Sequence, residues 1–244
     1  MERQQIRKAI ILISFLLFPL TIYYLSPALI IMGAADGIVS GSLIAFLLMF
    51  AFSLLLGRLF CGWICPGGGL QEACFMANEK PARGGKGNWL KYFIWVPWLT
   101  IIIVLFIKAG GVKQVYPLYH IVGGISVAQP GDYFIYYFFL ILIVALSLTA
   151  GKRAFCHYIC WMAPFMTIGT KIKSFRLWPS LHLEANADLC NDCMACNKVC
   201  PMSLNVQGLV MSGIGDYPEC ILCGSCVDRC PQKLIYFSFW RRKN

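Results

Sequence analysis

The chain has 244 residues, of which 59% are hydrophobic and only 13% charged, whereas an ordinary soluble domain is about a quarter charged. That excludes the common soluble class and leads with the membrane class. Thirteen cysteines in so large and apolar a chain do not suit the disulfide framework of a small secreted domain and point to metal or cluster ligation. The formal charge of +10 sits mostly at the ends of apolar segments, which makes it a topology signal and not a nucleic-acid signal.

Four uncharged stretches approach the roughly 20 residues that a bilayer crossing needs. They run over 9–31 (with Pro19 inside), 38–56, 92–107 and 133–150. The third is short, and Lys91 and Lys108 are expected to snorkel from its ends, with Tyr92, Trp95 and Trp98 as interfacial anchors. Arg3, Arg7 and Lys8 precede the first stretch; Arg58, Lys80, Arg83, Lys86 and Lys91 separate the second and third; Lys152, Arg153, Lys171, Lys173 and Arg176 follow the fourth. The opposite loops carry only Lys108 and Lys113. The positive-inside rule then predicts cytoplasmic termini, with the loops around Asp36 and 109–132 facing outward. The basic, then apolar, start imitates a signal peptide but is read as an uncleaved first helix.

The second and fourth stretches close on related motifs. Arg58-Leu59-Phe60-Cys61-Gly62-Trp63-Ile64-Cys65 and Arg153-Ala154-Phe155-Cys156-His157-Tyr158-Ile159-Cys160 both read Arg-x-Phe-Cys-x-aromatic-Ile-Cys, 95 residues apart. The membrane region therefore reads as two repeated helix pairs, each ending in a paired-cysteine turn at the cytoplasmic surface. If helical, each motif puts its cysteines on one face. Cys61, Cys65, Cys156 and Cys160 together suit a third iron–sulfur cluster or a tetrahedral zinc, with Arg58 and Arg153 favouring ionised thiols. Reversible dithiols and plain packing are the rival readings. Cys74 has no repeat partner and reads as structural. Pro66 and Gly67-Gly68-Gly69 predict a flexible exit, and 78–88 a loop.

The densest signal follows Leu183. Cys190, Cys193, Cys196 and Cys200-Pro201 recur 30 residues later as Cys220, Cys223, Cys226 and Cys230-Pro231, the bacterial ferredoxin spacing written twice. In that pattern three cysteines wrap one cluster and the fourth reaches the other. The expected sets are Cys190, Cys193, Cys196 and Cys230 for one [4Fe–4S] cluster, and Cys220, Cys223, Cys226 and Cys200 for the second. A zinc ribbon needs four ligands, not eight. From Lys171 onward there are nine Lys/Arg and six Asp/Glu. Two oxidised clusters would turn this modest positive charge slightly negative, so no nucleic-acid partner is expected. The predicted organisation is an all-α bundle of four transmembrane helices (1–170) with the twin CxxxC motifs, a juxtamembrane linker (171–183) and a small α+β two-cluster ferredoxin domain (184–244). The linker mixes basic and apolar residues from Lys171 to Pro179, which suits a segment lying along the headgroups as well as a plain tether.

The twin motifs from Phe60 to Pro66 and from Phe155 to Pro164, with the two cysteine runs, resemble the NapH-type membrane ferredoxins and, more loosely, the NosR and CcoG polyferredoxins. The second motif departs from the family's Cys-Pro ending: Trp161 follows Cys160 and proline waits until Pro164. The resemblance implies a multi-pass protein of the inner (cytoplasmic) membrane that relays single electrons between the quinone pool and a partner redox protein. It implies an electron-transfer subunit of an oxidoreductase complex, at its furthest a quinol dehydrogenase. It also admits a regulatory or assembly factor that reduces a metal or thiol during maturation of a respiratory enzyme.

Overall fold

A computed structural model describes residues 2–121, 123–176, 179–213 and 217–239. The chain enters through α1 (Glu2–Leu16), breaks, and continues through α2 (Phe18–Thr21) into a 3-10 turn (Ile22–Leu25). The two pieces meet at 61°, and Pro19 stands in the first turn of α2, where its missing N–H costs nothing but the preceding helix cannot run through. Helix α3 (Pro27–Asp36) starts on a Ser26 cap and stops at Gly37, which takes a left-handed conformation. Strand β1 (Ile38–Ser40) then leads into α4 (Gly41–Leu56).

After α4 come α5 (Leu59–Trp63) and α6 (Pro66–Ala73), a 3-10 turn over Gly85–Trp89, and α7 (Leu90–Lys108). Strand β2 (Gln114–Tyr116) pairs in parallel with β1, and Tyr119 hydrogen-bonds Asp36, so the two predicted outward loops gather at one end. Helix α8 (Asp132–Ala150) returns, followed by α9 (Ala154–Tyr158) and α10 (Met162–Arg176). The tail carries β3 (His182–Ala185), α11 (Ala195–Lys198), α12 (Val206–Met211), α13 (Ser225–Arg229) and β4 (Ile235–Ser238). Strands β3 and β4 pair antiparallel.

Two helices are long and apolar enough to cross a bilayer, Gly87–Lys108 and Asp132–Ala150; the bent pair Glu2–Leu16 and Phe18–Leu25 makes a third if it is one span. They correspond to the third, fourth and first predicted stretches. The second stretch yields α4, whose 16 residues reach only about 24 Å at 1.5 Å per residue, short of a ~30 Å hydrocarbon core. The first stretch is not one helix, since Pro19 and Pro27 divide it into three pieces. Exposed side chains such as Phe52, Phe93, Phe134 and Phe138 stud these helices, as a lipid-facing surface requires.

Inside, α10 packs closely on α4. A Cβ on Gly169 would fall 1.7 Å from Ser53 Oγ, so only glycine lets the two backbones approach this way. Several expectations change here. Lys91 does not snorkel; it is wholly buried and paired with Glu219. Pro66–Ala73 is helical, because Pro66 is preorganised for a first helical position. The predicted linker begins as the last turns of α10 up to Arg176, and Leu177 and Trp178 lie outside the described residues.

Candidate functional site

The twin motifs are not continuous helices. In each, the first cysteine sits on a one-turn helix, Cys61 on α5 and Cys156 on α9, and the second sits in the turn that follows. Cys65 is the residue before α6, which opens directly on Pro66, whereas Trp161 intervenes between Cys160 and α10. The missing Cys-Pro step thus shifts the second turn by one residue. All four cysteines are buried, because the tail domain covers one side of them and apolar helices the other.

These four thiols form one neighbourhood. Burial, with Cys61 and Cys156 beside it, pushes the Cys65 thiol up to about 12. Cys160 is raised by burial and by the same three cysteines. Arg58 lies beside Cys61 and Cys156, and Arg153 beside Cys156 and Cys65. Both guanidiniums are fully buried. Among the described residues Arg153 Nε has no hydrogen-bond partner, and Arg58 Nε and Nη2 meet no oxygen or nitrogen acceptor, their guanidinium facing the Cys61 thiol instead. Buried donors rarely go unpaired. Cationic N–H groups without an oxygen or nitrogen acceptor beside four thiols fit an anionic, thiolate-bound group. Gln71 Nε2 also donates to Cys156 Sγ at 3.2 Å while its Oε1 accepts from Phe155 N at 3.1 Å. Met166 Sδ lies 3.4 Å from Cys61 Sγ. A small apolar cavity of about 50 Å³ opens beside Cys65, Cys156 and Cys160, lined by Phe18, Ile22, Phe139 and Trp161 among others.

Each repeat arginine shares a buried carboxylate with a second cation. Arg153 and Arg7 meet Glu72, with Arg7 Nη1 and Nη2 donating to its two oxygens at 2.9 and 2.7 Å. Arg58 and Lys91 meet Glu219, Lys91 Nζ at 2.6 Å. Burial alone would raise the Glu219 carboxyl, but Arg58 and Lys91 outweigh it and hold it down at about 2. Glu219 immediately precedes Cys220, so the first repeat is tied by charge to the tail. Burial holds His157 down at about 4, leaving it neutral at pH 7. Its Nε2 lies 3.2 Å from Met202 O and its Nδ1 2.7 Å from Asn88 Oδ1.

In the tail, the two cysteine runs have the same backbone. Asp192 and Leu222, Met194 and Gly224, Ser203 and Lys233 all have positive φ, at 50–76°, each pair 30 residues apart. Alternating left- and right-handed residues turn successive N–H groups into a concavity, the form that suits anionic sulfur. A cavity of about 610 Å³ is lined by Cys200, Cys220, Cys223 and Cys226, and a smaller one of about 20 Å³ by Cys190, Cys193, Cys196 and Cys230. Each cavity is thus lined by three cysteines of one run and the fourth of the other, and four thiols is the donor number a [4Fe–4S] cluster takes. Among the described residues no three His, Cys, Asp or Glu groups are close enough to share a single metal ion. A four-iron cube asks for less, because each thiolate meets its own iron.

Spacing could not single out Gln71, Glu72, Lys91, Met166 or Glu219, which come from distant segments; buried charge in a chain so poor in acids was the available hint. His120, in the loop between α7 and α8, stacks edge-on against Tyr119 far along the chain from any cysteine.

The 4Fe–4S binding domain family matches residues 41–81 and again 133–177, so its two copies coincide with the two repeats. The 4Fe–4S dicluster domain family matches 189–235. The chain is 28% identical to protein MJ0750 of Methanocaldococcus jannaschii, over 83% of this chain and 82% of that protein. It is 29% identical to the putative electron transport protein YccM of Escherichia coli, over 77% of this chain and 53% of YccM. With the ferredoxin-type protein NapH of Haemophilus influenzae the identity is 25%, over 88% and 70%. No solved structure matches.

Proposed function

The chain belongs to the NapH-type family of membrane ferredoxins and is an iron–sulfur electron-transfer protein, and from that premise we propose that it relays single electrons between the quinone pool and a partner redox protein. The carrying observation is the pair of cavities, each lined by three cysteines of one run and the fourth of the other. In this reading Cys190, Cys193, Cys196 and Cys230 hold one [4Fe–4S] cluster, and Cys220, Cys223, Cys226 and Cys200 the second. Cys61, Cys65, Cys156 and Cys160 hold a third centre, for which the N–H groups of Arg58 and Arg153 that lack an oxygen or nitrogen acceptor speak. Bound there, such clusters supply one-electron transfer.

Oxidation of one quinol to quinone releases two electrons and two protons, so the relay passes its electrons in two successive single steps. The chain's own residues exclude water from the twin cysteines, and the apolar cavity beside Cys65, Cys156 and Cys160 is the lipid-side approach. Four spans, cytoplasmic termini and an inner-membrane location complete the proposal, supported by the basic residues of the cytoplasmic loops. The units are 1–170, 171–183 and 184–244.

A second reading, a maturation factor that reduces a metal or thiol, draws on the soft donors around Cys61, including the Met166 thioether. Iron and acid-labile sulfide on anaerobically purified protein test the relay. More than about eight iron per chain, falling to about eight in Cys61→Ala/Cys156→Ala, is expected. If that double variant also stops quinol-dependent electron flow while the partner enzyme is fully assembled, the relay holds. If the partner instead lacks its cofactor, the maturation reading replaces it.

A further inference from the structure

Both repeats touch the tail domain, and both touch the same half of it. Gly62, directly after Cys61, lies under the peptide of Ile221, where a Cβ would fall 2.2 Å from the carbonyl oxygen. The neighbouring Trp63 Nε1 donates to Leu222 O at 3.1 Å. The equivalent residue of the second repeat is His157, directly after Cys156, and its Nε2 meets Met202 O at 3.2 Å. Ile221 and Leu222 lie between Cys220 and Cys223; Met202 lies two residues after Cys200. All belong to the lining of the larger cavity or its flanks. The first turn of α1 closes on the same loop, with Gln4 Nε2 donating to Cys223 O at 3.0 Å and Arg3 paired with Asp228.

The other half is held differently. Hydrogen bonds around Cys190–Cys196 run within the domain, from Gln207 Nε2 to Asp192 at 2.7 Å and from Gln207 N to Asn197 at 2.8 Å. Cys193 is exposed, and Leu189 and Met194 beside it are 56% and 43% exposed, against 7% for Cys223 and Cys226.

We infer that Gly62 and His157, at matching positions of the two repeats, are positioning residues of a backbone seam that makes the Cys200/Cys220/Cys223/Cys226 half the membrane-side electron port. The Cys190/Cys193/Cys196/Cys230 half is then the port open to a water-soluble one-electron partner. Electron transfer weakens steeply with each gap between bonded atoms. Gly62 lying directly against the Ile221 carbonyl leaves the shortest step that two chains allow, and a side chain at Gly62 would widen it, while His157 closes the second contact through its own ring nitrogen. An electron taken in at one port leaves at the other, so the protein returns to its starting state after each transfer. This rests on the iron–sulfur reading above.

The test is pulsed EPR of the full-length, cluster-loaded protein reduced anaerobically in detergent, with a water-soluble dysprosium chelate as a relaxing agent. Cys193→Ser and Cys223→Ser assign the signals. The signal altered by Cys193→Ser should relax several-fold faster with dysprosium, and the one altered by Cys223→Ser should barely respond. Gly62→Val, which forces the seam apart, should make the second signal respond as well. Equal enhancement of both signals in the unaltered protein overturns the inference even if neither serine variant assembles, and so does the reverse order. About eight or more iron per chain with equal enhancement leaves the iron–sulfur reading standing; markedly fewer removes both.

Discussion

Glu219→Gln removes the one carboxylate that Arg58 and Lys91 share, and both cations are wholly buried at 0% side-chain exposure. Water cannot replace the lost partner, so the change leaves two uncompensated charges inside the seam. Breaking a buried pair in this way costs about 3–5 kcal/mol. At a factor of ten per about 1.4 kcal/mol, that shifts the docked-to-open equilibrium of the 220–226 loop by roughly 10² to 4 × 10³-fold. Hydrogen exchange of amides 220–226 in detergent reads that shift directly, and exchange there should accelerate by about this factor. Glu184→Gln is the control. Glu184 pairs with His182 but is one-third exposed, so its loss is worth about 1 kcal/mol or less. The triple replacement Arg58→Met/Lys91→Met/Glu219→Met should recover most of the protection, since apolar residues of similar size often replace a buried ion network without loss. If Glu219→Gln exchanges no faster than Glu184→Gln, the charge network does not hold the tail to the membrane domain and the reasoning fails.

Other outcomes follow from the same contacts. Gly62→Ala must push Ile221 away by about 1 Å, an overpacking cost of about 1–3 kcal/mol that should lower the temperature at which cluster absorbance bleaches; an unchanged midpoint would mean the two chains are not in contact. Gln71→Leu strands the buried Phe155 N–H and removes the donor to Cys156 Sγ, which should cost about 1–3 kcal/mol of thermal stability and perturb the spectrum of the proposed twin-cysteine centre alone. Stripping iron should remove exchange protection from both cysteine runs while α7 and α8 keep theirs, because the runs close around the proposed clusters whereas each long helix satisfies its own backbone hydrogen bonds. In sealed right-side-out vesicles the tail should resist added protease; its digestion would reverse the proposed topology.

Local signals already carried much of this protein. Cysteine spacing already set out the crossed sets as an expectation, and the 30-residue repeat of the spacing reappears in the backbone as positive φ at Asp192 and Leu222. Apolar length marked α7 and α8, since each buries its own backbone hydrogen bonds and needs no partner to be a helix. The Arg-x-Phe-Cys repeat announced two equivalent turns. Tertiary structure alone decided what those turns face. Pro19 and Pro27 broke the first stretch locally, but the enclosure of the cysteines, the burial of Lys91 and the seam at Gly62 and His157 required segments far apart in the chain to meet. Glu72 finds Arg153 across 81 residues and Glu219 finds Arg58 across 161. No periodicity encodes such pairings, because a buried charge is stabilised by whichever opposite charge the completed fold brings to it.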